Sequence, residues 1–302
     1  MKLVGDMIIE IITLIDIILI IGVLLALLYG SYTDFKIREV PDWVSYGLIL
    51  LGLSGRLLIG ILSGEWLEFG YEIAWFVLFI IIAFLMFYTG QWGGADAKLL
   101  MGLGIVFASY PKSLLNYFSP NLTIPFPITL LFNIFFIGAV YGLVYSSILV
   151  FSNWKKFKFE FVKINSQFKK KKILLFSLLL FILAIGLFFI EPLLGLLFFV
   201  ISFSLFLFVY LFLFSKSVER ACMIKLTPVD ELTEGDWIVK NVNVKGKYIC
   251  GPKDLGIENK QIALLRKLKV KSVFVKNGIP FVPSFLISVI ISLVFGWFLI
   301  GF

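Results

Sequence analysis

Residues 173–190, ILLFSLLLFILAIGLFFI, and residues 193–214, LLGLLFFVISFSLFLFVYLFLF, flank a Glu191-Pro192 turn and contain no Asp, Glu, Lys or Arg. A helix rises about 1.5 Å per residue, so each run reaches across most or all of a ~30 Å hydrocarbon layer. Comparable runs recur outward in both directions, at 8–29, 43–62, 73–88, 97–109, 126–151 and 281–302. The chain is 60% hydrophobic over 302 residues, has 34 Phe and a mean hydropathy of +1.03, well above a soluble domain at roughly 45–50% apolar. The expected fold is an all-α polytopic membrane protein of about eight transmembrane helices with a small α+β cytoplasmic module. The N-terminus does not read as a cleavable signal peptide. Asp6, Glu10 and Asp16 interrupt it, and its apolar run continues too far.

The net charge of +8 is explained first by topology, since Lys and Arg collect in cytoplasmic loops. Lys36 and Arg38 follow the first run; the next loop, SGEWLEFGYE, is acidic. Lys98 sits at the start of the fourth run, and Lys112 follows it. Lys155, Lys156, Lys158, Lys163 and Lys169 to Lys172 precede 173–190, the Glu191-Pro192 turn is free of basic residues, and 216–276 is basic again. This alternation predicts both termini outside. The fourth run is short: 13 residues give about 20 Å. A re-entrant element there would invert the polylysine stretch, so it is kept as a span. Domains are expected at 1–152 (membrane core), 153–172 (basic cytoplasmic loop), 173–214 (additional helix pair), 215–280 (module) and 281–302 (last span). Within the module, 237–244 and 271–276 read as strands and 258–268 as a helix.

The chain contains no His, which removes Ser-His-Asp and Cys-His nucleophiles and His-ligated metals. Cys222 and Cys250 lie 28 residues apart and read as apolar filler. No metal, cofactor or nucleic-acid partner is expected; the bilayer is. Acidic residues in or beside spans are functional candidates. Asp34, in SYTDFKIREVPDW, ends the first span; Asp96, in GQWGGADAKLL, begins the fourth. Opposite span directions bring both carboxyls to the cytoplasmic face, although 62 residues separate them. Two close carboxyls share charge poorly, so one can hold a proton while the other acts as base. The residues do not say which. Gly93 and Gly94 permit a tight turn and close approach of a substrate strand. Lys98 either tunes Asp96 or snorkels. Asp16 and Arg56 read as a structural ion pair in neighbouring spans, and Asn121 opens a weak glycosylation sequon.

TDFKIREVPDW followed by GGADAKLL resembles the membrane aspartic peptidases that process type IV prepilins and archaeal preflagellins, over roughly residues 20–150. The matching positions are Asp34, Val40, Pro41, Gly93, Asp96 and Lys98. Ala95 replaces the second glycine of the strict G-x-G-D motif, which points to the archaeal variant. The resemblance implies a substrate with a short basic leader before a hydrophobic helix, cut at the cytoplasmic edge of that helix. It also implies a role for Glu39 and Asp42 in attracting leader lysines. The four-cysteine zinc module of bacterial members is missing, so neither zinc nor methyl transfer is expected. Residues 173–214 and 216–279 lie outside this core and resemble archaeal C-terminal extensions. A presenilin-like peptidase would add a Pro-Ala-Leu motif, which is absent. A transporter would show repeats and midplane acids. A non-catalytic scaffold would keep the fold without cleaving a leader.

Overall fold

The computed structural model describes residues 2–244 and 246–297 and divides into two compact units, 1–143 with 279–302, and 144–278. Six helices among the described residues are long and apolar enough to cross a membrane: Gly5–Ile37, Asp42–Ser63, Trp66–Tyr88, Phe126–Ser152, Lys171–Phe188 and Pro192–Met223. The chain is a multi-pass membrane protein.

The first unit contains α1 (Lys2–Ile37), α2 (Asp42–Ser63), α3 (Trp66–Tyr88), α4 (Gly94–Val106) and the start of α5 (Phe126–Ser152). Helix α1 stops where Arg38 turns left-handed at φ +61°. Pro41, with no N–H to leave unpaired, directly precedes α2. A left-handed Gly64, φ +73°, closes α2 with its N–H on Gly60 O at 2.9 Å and leaves a short link to α3. The expected span at 97–109 corresponds to α4, equally long but starting three residues earlier, and that at 281–302 to the late helix Val282–Phe295; residues 298–302 lie outside the described residues.

Helix α4 is short because it is a core element packed against α2 and α3. Leu99, Leu100 and Leu103 are fully buried. Small residues set its close approach to its neighbours: a Cβ on Gly102 would meet Leu48 at 2.9 Å, and one on Gly52 would meet Ile105 at 2.6 Å.

The second unit begins late in α5 and continues with α6 (Trp154–Gln167), α7 (Lys171–Phe188) and α8 (Pro192–Val218). The 153–172 connector is thus largely helical rather than a plain basic loop. Phe157, Phe161 and Ile164 form a stripe at helical spacing, against Val218 and Phe214 at one end and Val209 and Leu213 at the other. Interspersed lysines hid that stripe. Helices α7 and α8 are joined by a reciprocal pair inside their apolar seam: Ser177 Oγ donates to Ser202 O at 2.9 Å, and Ser202 Oγ to Ser177 O at 2.7 Å.

The polar segment holds β1 (Ile224–Pro228), β2 (Trp237–Ile238), β3 (Val242–Val244), β4 (Lys247–Cys250), α9 (Asn259–Lys267) and β5 (Ser272–Lys276). Helix α9 and β5 fall where their patterns predict them. The strand expected at 237–244 is two strands: β2 pairs antiparallel with β5, and β3 pairs with β4 in a separate sheet. Strand β1 pairs along β5 from Ile224↔Lys276 to Pro228↔Ser272, a non-local pairing that local patterning does not reveal. Ile238, Cys250, Ile262, Leu265, Val273 and Val275 lie in one apolar cluster. The last helix, α10 (Val282–Phe295), belongs to the first unit.

Candidate active site

Asp34 lies in the last turn of α1 and is 8% exposed, in a stretch where Ser31 and Thr33 are buried too. Its Oδ2 accepts the main-chain N–H of Val282 at 3.0 Å, a contact spanning 248 residues of sequence. Asp96 is the third residue of α4, half-buried, and its Oδ2 accepts the Gly93 N–H at 3.3 Å. That bond is the carboxylate half of a capping box, whose other half glycine cannot make.

Burial pushes the Asp96 carboxyl up to about 7; the neighbouring Asp34 charge adds to that rise, and the Gly93 N–H opposes it. Asp96 precedes the predicted fourth span and lies outside the six long apolar helices.

The turn into α4 takes its left-handed residue at Gly90, φ +68°, rather than at Gly93, whose φ is −70°. Gly93 is the N-cap of α4 and Gly94 its first residue. Trp92, buried beside them, has its ring 5.5 Å from Phe135, 5.7 Å from Phe281 and 5.4 Å from Phe285. Lys98 does not pair with Asp96. Its Nζ is 2.6 Å from Asp42 Oδ1 and 5.0 Å from the centre of the Tyr46 ring. Glu39 is exposed, and Val40 is buried just before Pro41.

Asp16 and Arg56 are an ion pair at 3.8 Å, but the stronger partner is Glu72, whose Oε1 lies 3.1 Å from Arg56 Nη1. Sequence reasoning left Glu72 in an acidic loop. It lies in α3 because that helix begins at Trp66, earlier than the apolar run suggests. Arg56 also donates to the Val106 and Ser109 carbonyls, and Ser109 Oγ donates to Glu72 Oε1 at 2.9 Å. The proximity of Phe281 and Val282 to Asp34 was also missed, since no periodicity reports on a contact that distant in sequence. Among the described residues, no group of three or more His, Cys, Asp or Glu is placed to hold a metal.

The two-carboxyl segment has relatives. Residues 20–144 match the type IV leader peptidase family, upholding the resemblance carried by TDFKIREVPDW and GGADAKLL. The chain is 34% identical over 134 residues to the preflagellin peptidase of Methanococcus voltae, covering 43% of this chain and 55% of that one. It is 32% identical over 120 residues to the preflagellin peptidase of Methanocaldococcus jannaschii, 37% and 49% of the two chains. A prepilin peptidase, EppA, of Methanothermobacter thermautotrophicus is 25% identical over 173 residues, 54% and 44% of the two. The chain thus spans about half the length of the curated relatives it matches. No solved structure matches.

Proposed function

We propose that this chain is an aspartic endopeptidase of the cell membrane that removes the short basic leader of type IV prepilin-like or preflagellin precursors, with Asp34 and Asp96 as its two carboxyls. What carries this reading is the placement of two acids 62 residues apart, at the end of α1 and the start of α4, inside the segment that matches the leader peptidase family. Asp34, hydrogen-bonded by a main-chain N–H, suits the ionised partner; Asp96, raised towards neutrality, suits the protonated one.

Asp34 takes a proton from a water whose oxygen bonds to the scissile carbonyl carbon. Asp96 gives its proton to the carbonyl oxygen. On collapse, the C=O reforms, the C–N bond breaks, and the proton held by Asp34 passes to the leaving nitrogen. The carbonyl-oxygen proton returns to Asp96. No metal or cofactor takes part in this scheme.

The alternating Lys and Arg clusters support an active site at the cytoplasmic face with both termini outside. In that arrangement, α4 from Ala97 onward and α10 complete eight membrane elements, and the 224–276 module is cytoplasmic. The substrate is a precursor whose hydrophobic helix enters the bilayer while its basic leader stays at the surface. Incubating such a precursor with membranes containing this chain, and following leader loss by mobility, tests the proposal; an uncut precursor rejects it.

Asp96 acts protonated, so cleavage falls as pH rises through about 7, approaching tenfold per unit beyond it. An ordinary carboxyl near 3.8 would already have lost its proton. A pH–rate profile flat from 6 to 9 removes Asp96 as the acid. Glu39 is exposed, whereas Asp42 is engaged by Lys98, so Glu39 is the freer anion for a leader lysine. Glu39→Lys raises KM for a basic leader about fivefold with kcat little changed, and added salt narrows the gap. An unchanged KM discards this role.

A further inference from the structure

We infer that the first turn of α10, Phe281–Val282, is a positioning element of the active site: its main chain holds the Asp34 carboxylate, and its Phe281 ring holds the loop that carries Asp96. The inference rests on the two-carboxyl reading above. It concerns residues beyond 20–144, where the family match ends.

Four separate contacts converge on this turn. The Val282 N–H donates to Asp34 Oδ2 at 3.0 Å. Gly30, one helical turn before Asp34, leaves the space Val282 occupies: a Cβ there would lie 3.3 Å from Val282 Cγ1 and 3.6 Å from Val40 Cγ1. Gly138 in α5 does the same for Phe281, since a Cβ on it would fall 2.5 Å from the ring's Cζ. Phe281 in turn packs 5.7 Å from Trp92, which immediately precedes Gly93 and the Asp96 turn.

The physical consequence concerns both acids. A carboxylate inside a membrane protein is costly unless something donates to it, and main-chain N–H groups at a helix start point along the axis toward negative charge. The Val282 N–H cannot rotate away as a side chain can, so it fixes the orientation of the Asp34 carboxylate and favours its ionised form. The aromatic contact couples the same turn to the partner loop. One short segment thereby fixes the geometry between two acids borne on α1 and α4. Val282 and Phe281 transfer no proton and touch no substrate atom; they act through Asp34 and Trp92.

Val282→Pro removes the donor and also disfavours the αR backbone of Phe281 before it, so it loosens both parts of the turn. Full-length protein in membranes is assayed for precursor cleavage from pH 4 to 9. The expected result is a move of the acid limb of the pH–rate profile up by about one unit, because the ionised form of Asp34 has lost a donor. Val282→Ala, which keeps the N–H, leaves that limb where it is. Gly138→Val, which crowds Phe281 without touching either acid, lowers kcat with little change in KM and moves the limb in the same direction. It serves as the test if the proline variant fails to accumulate. An unmoved acid limb in a folded Val282→Pro or Gly138→Val protein overturns the inference. Failure of the underlying reading is distinct: Asp34→Asn would then cleave like the wild type in the same assay.

Discussion

Replacing either Asp34 or Asp96 with Asn lowers precursor cleavage by about a thousandfold or more, and the double variant is no worse than either single one. Asn keeps nearly the same shape and can still hydrogen-bond, but cannot accept the proton from water or donate a carboxylic proton. Acid–base steps of this kind contribute roughly 10²–10⁴ each, and groups that act as a unit lose function together rather than additively. Neither substitution strips the fold of a hydrogen bond. Asp34 accepts an N–H from Val282, a bond an Asn side-chain oxygen can retain. Asp96 accepts an N–H from Gly93, which an Asn oxygen can also retain, so the start of α4 is preserved. Loss of cleavage with intact thermal unfolding therefore reports chemistry rather than misfolding. Near-normal cleavage by either variant, with expression matched, rejects the two-carboxyl mechanism.

Arg56→Ala has the largest effect on stability, about 3–5 kcal/mol, the usual cost of stripping one partner from a buried ion pair. The Arg56 side chain is 4% exposed and is surrounded by groups that need it: Asp16, Glu72, and the Val106 and Ser109 carbonyls. These groups belong to α1, α3, the C-terminal end of α4 and the turn just after it, so one guanidinium on α2 links all three helices. Its positive charge also lies at the negative end of the α4 dipole. Removing it leaves Glu72 without a counter-charge and strips Asp16 of its ion-pair partner where water is scarce. Thermal unfolding in detergent measures the loss. Combining Arg56→Ala with Asp16→Asn and Glu72→Gln recovers part of it, because the stranded charges go with their partner. A single variant as stable as the wild type shows the network to be incidental.

The loss in Arg56→Ala also reaches the proposed active site, because α4 carries Asp96 at its opposite end. Its 13 residues are held by Arg56 at the C-terminus and by packing of Leu99, Leu100 and Leu103 along its length. A shift of α4 along its axis would move Asp96 relative to Asp34. Precursor cleavage by Arg56→Ala is accordingly expected to fall further than the amount of folded protein.

Much of this protein could be read from local chemistry. Runs without charge at 173–190 and 193–214 had to be membrane helices, since nothing else in a chain this apolar satisfies their backbone within a bilayer. The motifs around Asp34 and Asp96 were visible because their residue types are unusual beside spans, and helix α9 followed its own periodicity. Properties that depend on partners distant in sequence were not visible. Lys98 could tune Asp96 or snorkel on sequence grounds, yet it reaches Asp42, 56 residues earlier, which tertiary packing put within 2.6 Å. Glu72 read only as part of an acidic loop, yet the fold sets it against Arg56. Basic residues between Phe157, Phe161 and Ile164 masked the stripe that α8 covers. The amino-acid order alone determined which segments prefer lipid and which acids are too costly to sit there without purpose, because transfer free energy is a property of each segment. Only the tertiary structure decided which donor meets which acid, including the Val282 N–H on Asp34, because a hydrogen bond depends on ångström-scale approach between segments that the chain brings together only when folded.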